Sequence, residues 1–310
     1  MSDPQQPQQF SFVLDKPCGD SVAFLAAETG LSKTAIKSAM TRGALWYSRG
    51  QGGADGHKPR RLRRKAVQLK VGAELHLYFD SQILNLRPLE PKLIEDCGEF
   101  SVWDKPSGMP MLGSKWCDHT AFERWVEVNH LAGGETYIVH RLDRWASGLV
   151  VLAHSKQAAG GLAELFATRQ TRKQYLALTD TSIDLNSQLQ RLPIILDSPV
   201  ESKPSKSVLI DIKPATSLLN KSDQQKIDAV DLRGVFELRI AIETGRKHQI
   251  RRHCAGIGWP LLGDKLYADS SVASKFEVEG LEVDLQLRSV CLGFHFESKD
   301  YLWELNVDTN

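Results

Sequence analysis

The chain has 310 residues, of which 42% are hydrophobic and 25% are charged, and its formal net charge is +1. This length fits one large domain and a small one, and the hydrophobic share excludes a largely disordered protein. The five cysteines form no C-x-x-C pair, and their odd number argues against a disulfide framework and for a reducing compartment. Because no apolar stretch is long enough for a membrane span or a signal peptide, we expect a cytoplasmic protein without a membrane partner.

Two short helices are predicted near the N-terminus. In the first helix, Asp20 or Ser21 fits the N-cap and Gly30 fits the residue that ends the helix. In the second helix, Ser32 and Gly43 fit the same two places. Both helices carry apolar residues at helical spacing, so we expect each to pack one face against a core.

A basic run follows the two helices. Its cations are Lys58, Arg60, Arg61, Arg63, Arg64, Lys65 and Lys70, with no acidic residue from Gly56 to Ala73. Clustered cations attract phosphate groups, although a solvated and mobile loop has the same composition. As candidate nucleic-acid contacts we take four arginines: Arg60, Arg61, Arg63 and Arg64. A strand at 74–79 should close this part of the chain.

The rest of the chain mixes strands and helices. Residues 80–98, with two prolines, predict a linker. The predicted elements after it are helices at 158–169 and 246–255, strands at 174–179 and 235–243, and variable loops over 181–231. Because strands and helices do not alternate as in βαβ units, we predict an α+β fold with a mixed, largely antiparallel sheet and flanking helices.

The sequence VHRLDRWASGLVVLA contains the strongest candidate for a reactive group. Two short apolar runs, at 137–139 and 149–153, predict buried strands on either side of a charged cluster. Asp143 then lies on a connection between core elements, flanked by Arg141 and Arg144. A carboxylate on a rigid scaffold, kept ionised by guanidinium groups, suits a nucleophile or a general base. A turn with a salt bridge would carry the same charges.

Several motifs, in their order along the chain, resemble those of RluA-type RNA pseudouridine synthases. They are DKPSGMP at 104–110, HRLDRWASGL at 140–149, KQYLAL at 173–178, TGRKHQIRRH at 244–253 and GWPLLGDKLY at 258–267. The chain departs from the family pattern at Ala146 and Lys247, where Thr is usual or common, and at Cys254, where Leu is common. The resemblance covers residues 97–305, and the fold that it implies agrees with the α+β prediction.

The resemblance implies an isomerase that converts uridine within RNA to pseudouridine. It implies Asp143 as the group that attacks the ribose or removes a proton to give a glycal, with both routes open, and Arg251 as its salt-bridge partner. Tyr175 would stack on the detached uracil and assist proton removal from C5. The target nucleotide must leave its stack to reach Asp143, and Arg141 could fill the space it vacates.

Further candidates come from the same motifs. Besides Arg141, the substrate-binding candidates are His140, Lys173, Arg246, Lys247 and His248, with Lys105, Arg252 and His253 as weaker ones. We expect His140 to support the loop through a hydrogen bond and the turn near Arg246 to contact phosphates. No cofactor and no metal are expected, because the reaction has no redox step and the sequence lacks a Walker loop, a dinucleotide fingerprint and zinc spacing.

The N-terminal part resembles a small RNA-binding domain first known from a ribosomal protein. We therefore predict a disordered tail at 1–9, a small α/β RNA-binding domain at 10–87 and a catalytic domain at 88–310. The expected partner is RNA, ribosomal rather than transfer RNA, bound by a monomer. Two alternatives are a non-catalytic RNA-binding or ribosome-assembly factor with the same fold, and a glycosidase, which would need a second carboxylic acid. Asp264 is the one candidate for that acid in the motifs, and it better fits a structural turn.

Overall fold

The computed structural model describes residues 6–48, 58–63, 68–181, 183–219, 232–268 and 283–306. It divides into two compact units. The first comprises Met1–Leu89 and Leu112–Val128, and the second comprises Glu90–Met111 and Asn129–Asn310. The predicted boundary near residue 88 did not anticipate that residues 112–128 group with the N-terminal part. Within the described residues, no helix has the length and apolarity needed to cross a membrane.

The first unit combines an antiparallel sheet with helices. Its elements are β1 (Gln8–Val13), α1 (Ser21–Thr29), α2 (Lys33–Thr41), β2 (Leu45–Ser48), β3 (Arg60–Arg61), β4 (Glu74–Phe79), α3 (Ser81–Leu84) and nearly all of α4 (Phe122–Asn129). The four strands are ordered β1-β4-β2-β3. As predicted, Asp20 and Ser32 cap the two helices by accepting backbone N–H groups, and Gly30 ends α1 with a φ of 73°.

The N-terminal tail is shorter than predicted. Gln8 and Gln9 are the first residues of β1, which pairs with β4. The strand lies at the edge of its sheet, where Phe10 and Phe12 pack against the core and the alternate side chains face outward. A polar composition therefore did not prevent strand formation here. Residues 1–5 lie outside the described part of the chain.

The second unit is built on a large mixed sheet. Its elements are β5 (Lys92–Asp96), β6 (Phe100–Lys105), β7 (Tyr137–Ile138), β8 (Ser147–Ala153), α5 (Lys156–Ala167), β9 (Thr171–Asp180), α6 (Leu185–Leu189), β10 (Ile194–Leu196), β11 (Ser207–Pro214), β12 (Val235–Ile242), α7 (Gln249–Gly256), β13 (Leu287–Phe296) and β14 (Lys299–Glu304). The strand order is β10-β11-β12-β9-β13-β8-β6-β5, with β14 on β13 and β7 on β8. Among the described pairs, only β13 with β8 is parallel. The predicted fold class is confirmed.

Three local predictions were wrong. The stretch predicted as a linker, 80–98, contains α3 and the strand β5, which pairs with β6. The stretch predicted as variable loops contains α6, β10 and the eight-residue strand β11. A register shift between Leu209 and Asp211 interrupts the alternation of β11, which explains its weak periodicity. The helix predicted from residue 246 begins at Gln249, because His248 takes a left-handed conformation with a φ of 55°. Residues 220–231 lie outside the description.

Strand β8 fixes the loop that carries Asp143. All seven of its residues are buried between β6 and β13. Its second residue, Gly148, has a φ of 101°, and a Cβ atom there would lie 2.1 Å from the carbonyl oxygen of Ser289 on β13. Only glycine permits this approach. The loop from β7 to β8 therefore ends at a fixed point in the sheet.

Candidate active site

A cavity of about 610 Å³ opens beside Asp143. Its walls come from the loop between β7 and β8, the end of α5, strand β9 and the turn at 244–247. A smaller cavity of about 80 Å³ also reaches Asp143 and adds His248 and Arg251 from the start of α7. Asp143 is the one acidic residue among the described residues that line either cavity.

Two basic side chains approach the Asp143 carboxylate. The distance from Arg251 Nη1 to Asp143 Oδ2 is 3.6 Å, and that from His248 Nε2 to Asp143 Oδ1 is 3.8 Å. The Asp143 side chain is 27% exposed, so it can meet a ligand from the cavity. The structure thus brings together Asp143 and Arg251, as the resemblance implied, although the two groups are in loose contact.

Arg251 makes its bidentate hydrogen bonds with a different carboxylate, that of Asp264. Its Nε and Nη2 donate to the two oxygens of Asp264 at 2.7 and 2.6 Å, and the Asp264 side chain is fully buried. Burial lowers the pKa of Arg251, but the hydrogen bond and charge of Asp264 outweigh it, so the net pKa is raised. Asp264 also accepts the N–H groups of Leu266 and Tyr267. The expected fork on Asp143 is replaced by a fork that positions Arg251.

Tyr175 lines both cavities from β9. It is 7% exposed, and burial raises the pKa of its hydroxyl to about 12, with a hydrogen bond to Ser289 opposing the rise and Asp143 adding to it. The hydroxyl is therefore protonated near neutral pH. Its ring offers a flat apolar surface for a base, and the hydroxyl is available as a donor rather than as a ready proton acceptor.

His140 supports the loop through the hydrogen bond expected of it. The Val151 N–H donates to His140 Nε2 at 3.0 Å, and the imidazole stacks on Phe166 with a centroid distance of 4.3 Å. Burial, reinforced by the charge of Lys173, lowers the pKa of His140 to about 3. A neutral, stacked imidazole is a structural support, even though its edge also lines the large cavity.

Lys105 does not reach the surface, so the prediction that it contacts RNA was wrong. It is fully buried, and its Nζ donates to the carbonyl oxygens of Pro106, Met109 and Arg144 at 2.9, 2.9 and 3.2 Å. Burial lowers its pKa to about 7, against the opposing charges of Asp143 and Asp104. Lys105 ties the loop of Asp143 to the loop that follows β6.

One amide organises the turn before α7. Gln249 Oε1 accepts from the Thr244 hydroxyl at 2.7 Å and from the Arg246 N–H at 3.1 Å, while its Nε2 donates to Lys206 O and to Ser207 Oγ. This network holds Arg246 and Lys247 beside the large cavity, where Lys247 and Arg141 are exposed. Both basic residues of the turn precede the helix instead of forming its first turn.

Two weaker candidates on α7 are engaged elsewhere. His253 is buried and hydrogen-bonded to Ser205, Ser207 and the carbonyl of Ser198, so it is unavailable to a phosphate. The Arg252 guanidinium donates to the hydroxyl of Tyr267 and to Glu201. The same Tyr267 hydroxyl lies 2.9 Å from His248 Nδ1, which links this surface to the site.

The arginines of the basic run differ in their surroundings. Arg61 and Arg63 both pair with the buried carboxylate of Asp118, and Arg61 also donates to the carbonyl oxygens of Gly43 and Ser114. They hold the segment 112–128 within the first unit, contrary to the expectation that they face RNA. Arg60 is exposed, and Arg64 lies outside the described residues.

The described residues contain no cluster of three or more His, Cys, Asp or Glu side chains placed to hold a metal ion. The role of Lys105 was missed from the sequence. Asp264 was assigned to a structural turn, and it does accept the backbone N–H groups of Leu266 and Tyr267. Its bond to Arg251 depends on the tertiary fold.

Comparisons with known proteins point to one family. The family model described as RNA pseudouridylate synthase matches residues 99–256. The dual-specificity RNA pseudouridine synthase RluA of Vibrio vulnificus is 27% identical over 224 residues, covering 72% of this chain and 85% of the relative. The enzyme of the same name from Escherichia coli is 35% identical over 187 residues, covering 58% and 80%. A solved human structure, RNA Pseudouridylate Synthase Domain Containing 1, shares the fold, with a TM-score of 0.52 at 21% identity over 71% of this chain and 86% of that one.

Proposed function

Because the chain belongs to the RNA pseudouridylate synthase family and to its RluA type, we propose how its own residues isomerise uridine in RNA. Asp143 is the group that acts at the ribose. The observation that carries this assignment is that Asp143 is the one carboxylate among the described lining residues of both cavities, with Arg251 at 3.6 Å. A reaction that needs one ionised carboxylate beside a sugar has a single candidate there.

The bond changes balance without any added reactant. In the nucleophilic route, Asp143 attacks C1′ while the C1′–N1 bond breaks and its electron pair stays on the uracil. The uracil turns, C5 attacks C1′, and the carboxylate is released. C5 then loses its proton to Asp143, the described carboxylate that lines both cavities, and N1 takes up a proton from solvent, so that substrate and product are isomers. In the glycal route, Asp143 instead removes the C2′ proton as the C1′–N1 bond breaks, and it returns that proton to C2′ when C5 bonds to C1′.

Tyr175 supports the uracil while it turns. Its ring faces the cavity from β9, and the raised pKa keeps its hydroxyl protonated. A detached uracil can stack on the ring and accept a hydrogen bond from the hydroxyl. We therefore assign Tyr175 to holding the base, with any assistance to proton removal passing through the protonated hydroxyl.

The substrate nucleotide is flipped out of its stack. Asp143 and Tyr175 lie in a concave site that a base inside a helix cannot reach, and an everted nucleotide can enter it. Arg141 is exposed at the rim, where a planar cation can replace the missing base. Arg246 and Lys247 would hold the RNA backbone on the other side of the cavity, with His248 beside the carboxylate.

Ribosomal RNA remains the preferred substrate over transfer RNA, by analogy with the small RNA-binding domain that the N-terminal part resembles. Lys58, Arg60 and Lys70 are described and exposed members of the basic run that fit this role. A monomer working in a reducing compartment, the cytoplasm, completes the proposal, in keeping with five free cysteines. The alternative hypothesis, a non-catalytic RNA-binding factor, does not explain why Asp143, Tyr175 and Arg251 line one cavity.

The test compares total RNA from a strain that lacks the gene with RNA from the parent strain. Ribosomal and transfer RNA are both labelled with carbodiimide and read by primer extension. RNA from the strain that lacks the gene should lose a primer-extension stop at one or a few uridines. The wild-type gene should restore the stop and Asp143→Asn should not. Asp300→Asn, which removes an exposed carboxylate from the start of β14, serves as the matched control and should restore it.

Restoration by Asp143→Asn would end the assignment of Asp143. An unchanged set of stops in the strain that lacks the gene would end the proposal that these RNAs are substrates.

A further inference from the structure

The large cavity extends well past Asp143. Pockets of ~300–1,000 Å³ hold drug-sized ligands, so a volume of about 610 Å³ leaves space beyond one nucleoside. Beyond Asp143 and Tyr175, the cavity is lined by Phe166 and Arg169 at the end of α5 and by Lys173 on β9. This region, the α5 lobe, has no role in the proposed isomerisation.

Lys173 is the distinctive group of the α5 lobe. It is only 7% exposed, and within the described residues its ammonium has neither a hydrogen-bond acceptor nor an ion-pair partner. Its Nζ lies 5.6 Å from the centroid of the Phe166 ring. Burying an unpaired ammonium is costly, and burial lowers the pKa of Lys173 to about 8. A cation in these surroundings is suited to receive an anion.

Lys105 and Lys173 differ in the partners of their ammonium groups. Both lysines are buried in the second unit, but the Lys105 ammonium is satisfied by three carbonyl oxygens. The fold therefore provides acceptors where a buried lysine serves a structural purpose. It provides none for Lys173 among the described residues, and that side chain lines an open cavity instead.

The other walls of the α5 lobe also favour an anion. Arg169, the second residue after α5, lines the lobe, and its side chain is exposed. The carbonyl groups of Glu164, Leu165 and Phe166 in the last turn of α5 accept backbone N–H groups of residues 168–170, so these three are already hydrogen-bonded. No acidic residue other than Asp143 lines the cavity within the described part.

We propose that Lys173, assisted by Arg169, binds a phosphodiester group of the substrate RNA next to the target uridine. Lys173 and Tyr175 lie on the same face of β9, about 7 Å apart along the strand, which is comparable to the length of one extended nucleotide unit. With the target base against Tyr175 and Asp143, the neighbouring phosphate then falls in the α5 lobe. This inference rests on the proposed function and adds a second binding position to it.

Lys173→Met is the direct test, because Met keeps the length of the buried side chain and removes the charge. Arg172→Met is the matched control: it removes one positive charge from the adjacent, exposed position on the other face of β9. Activity is measured as tritium released from C5 of [5-³H]uridine-labelled RNA taken from the strain that lacks the gene. Lys173→Met should raise KM roughly 10-fold or more, the effect of losing one hydrogen bond to a charged group, with a smaller change in kcat.

Two further measurements separate phosphate binding from a structural role. The dependence of log KM on log salt should lose about 0.7 in slope in Lys173→Met and retain it in Arg172→Met. The melting temperature of Lys173→Met should be unchanged or higher, because the substitution removes an unpaired buried charge. A structural lysine would give a lower melting temperature and an unchanged salt slope, which would overturn the proposal.

A test that needs no variant uses a short RNA around the mapped uridine, with a neutral methylphosphonate in place of the phosphodiester on either side. At one of the two positions the wild-type KM should rise by the same factor as in Lys173→Met, and Lys173→Met should show no further rise. Equal losses in both proteins would overturn the inference. Absence of tritium release by the wild-type protein would instead overturn the proposed function itself.

Discussion

The buried pair of Arg251 and Asp264 should be among the most sensitive points of the second unit. Asp264→Asn keeps the size of the side chain and an oxygen for the N–H groups of Leu266 and Tyr267, but it removes the charge and half of the fork. Each hydrogen bond to a charged group contributes ~1.5–3 kcal/mol, so the two bonds together give roughly 3–6 kcal/mol. Breaking a buried ion pair by removing one partner costs ~3–5 kcal/mol, in agreement with that sum.

We therefore expect Asp264→Asn to lower the free energy of unfolding by about 3 kcal/mol, the lower end of that range because Asn still accepts one bond. Arg251→Met should also destabilise the protein, since it leaves Asp264 unpaired. The double substitution should cost less than the sum of the two single ones, with a coupling free energy of ~2–3 kcal/mol. The assay is urea unfolding followed by far-UV circular dichroism on all four proteins.

The exposed pair of Arg252 and Glu201 provides the matched control cycle on the same helix. Its coupling should be much smaller, because solvent screens both charges. Additive effects of Arg251→Met and Asp264→Asn would refute the argument that the fork holds Arg251. An unchanged kcat in Asp264→Asn would refute the further argument that this fork positions Arg251 for Asp143.

Buried groups around the loop of Asp143 make three other changes informative. The pKa of His140 is 6.5 in the unfolded chain and about 3 in the folded protein, so the stability of the wild type should decline as the pH drops from 6.5 toward 3. The stability of His140→Gln, measured by urea titration at each pH, should decline less. The pKa of Lys105 is 10.5 in the unfolded chain and about 7 in the folded protein, so between these pH values the unfolded chain binds more protons. The free energy of unfolding of the wild type should therefore rise relative to that of Lys105→Met from pH 7 to 10.5 in the same titrations. Gly148→Ala should lower the melting temperature and abolish tritium release, because the new Cβ atom would lie 2.1 Å from the carbonyl oxygen of Ser289. Gly133→Ala is the control: Gly133 has a φ of 93° and no atom within 4 Å of the added Cβ, so this variant should remain active.

Local features of the fold were predictable from the sequence because their causes are local. Asp20, Gly30 and Ser32 act through N–H and C=O groups only a few residues away, and the structure has each of them as a cap. The strand predicted at 74–79 is β4, with the same bounds. The connection that carries Asp143 also followed from two neighbouring apolar runs.

The remainder depended on partners far away in sequence. Arg61 and Arg63 read as free cations because their partner, Asp118, lies more than fifty residues downstream. Arg251 was assigned to Asp143 by resemblance, and the competing carboxylate of Asp264 becomes evident only when α7 and the following turn are packed. Pattern and composition indicate which groups are charged, but burial decides which of them pair.

The parallel pairing of β8 with β13 also determines when, during translation, the enzyme becomes competent. Gly148 closes on Ser289, and β9 pairs with the same strand, yet β13 occupies positions 287–296 near the end of the chain. A nascent polypeptide that has completed β6, β7 and β8 still lacks the neighbour that fixes the exit of the carboxylate loop. Products that stop before β13 should therefore fail to isomerise uridine, and modification should begin only after β13 has been translated.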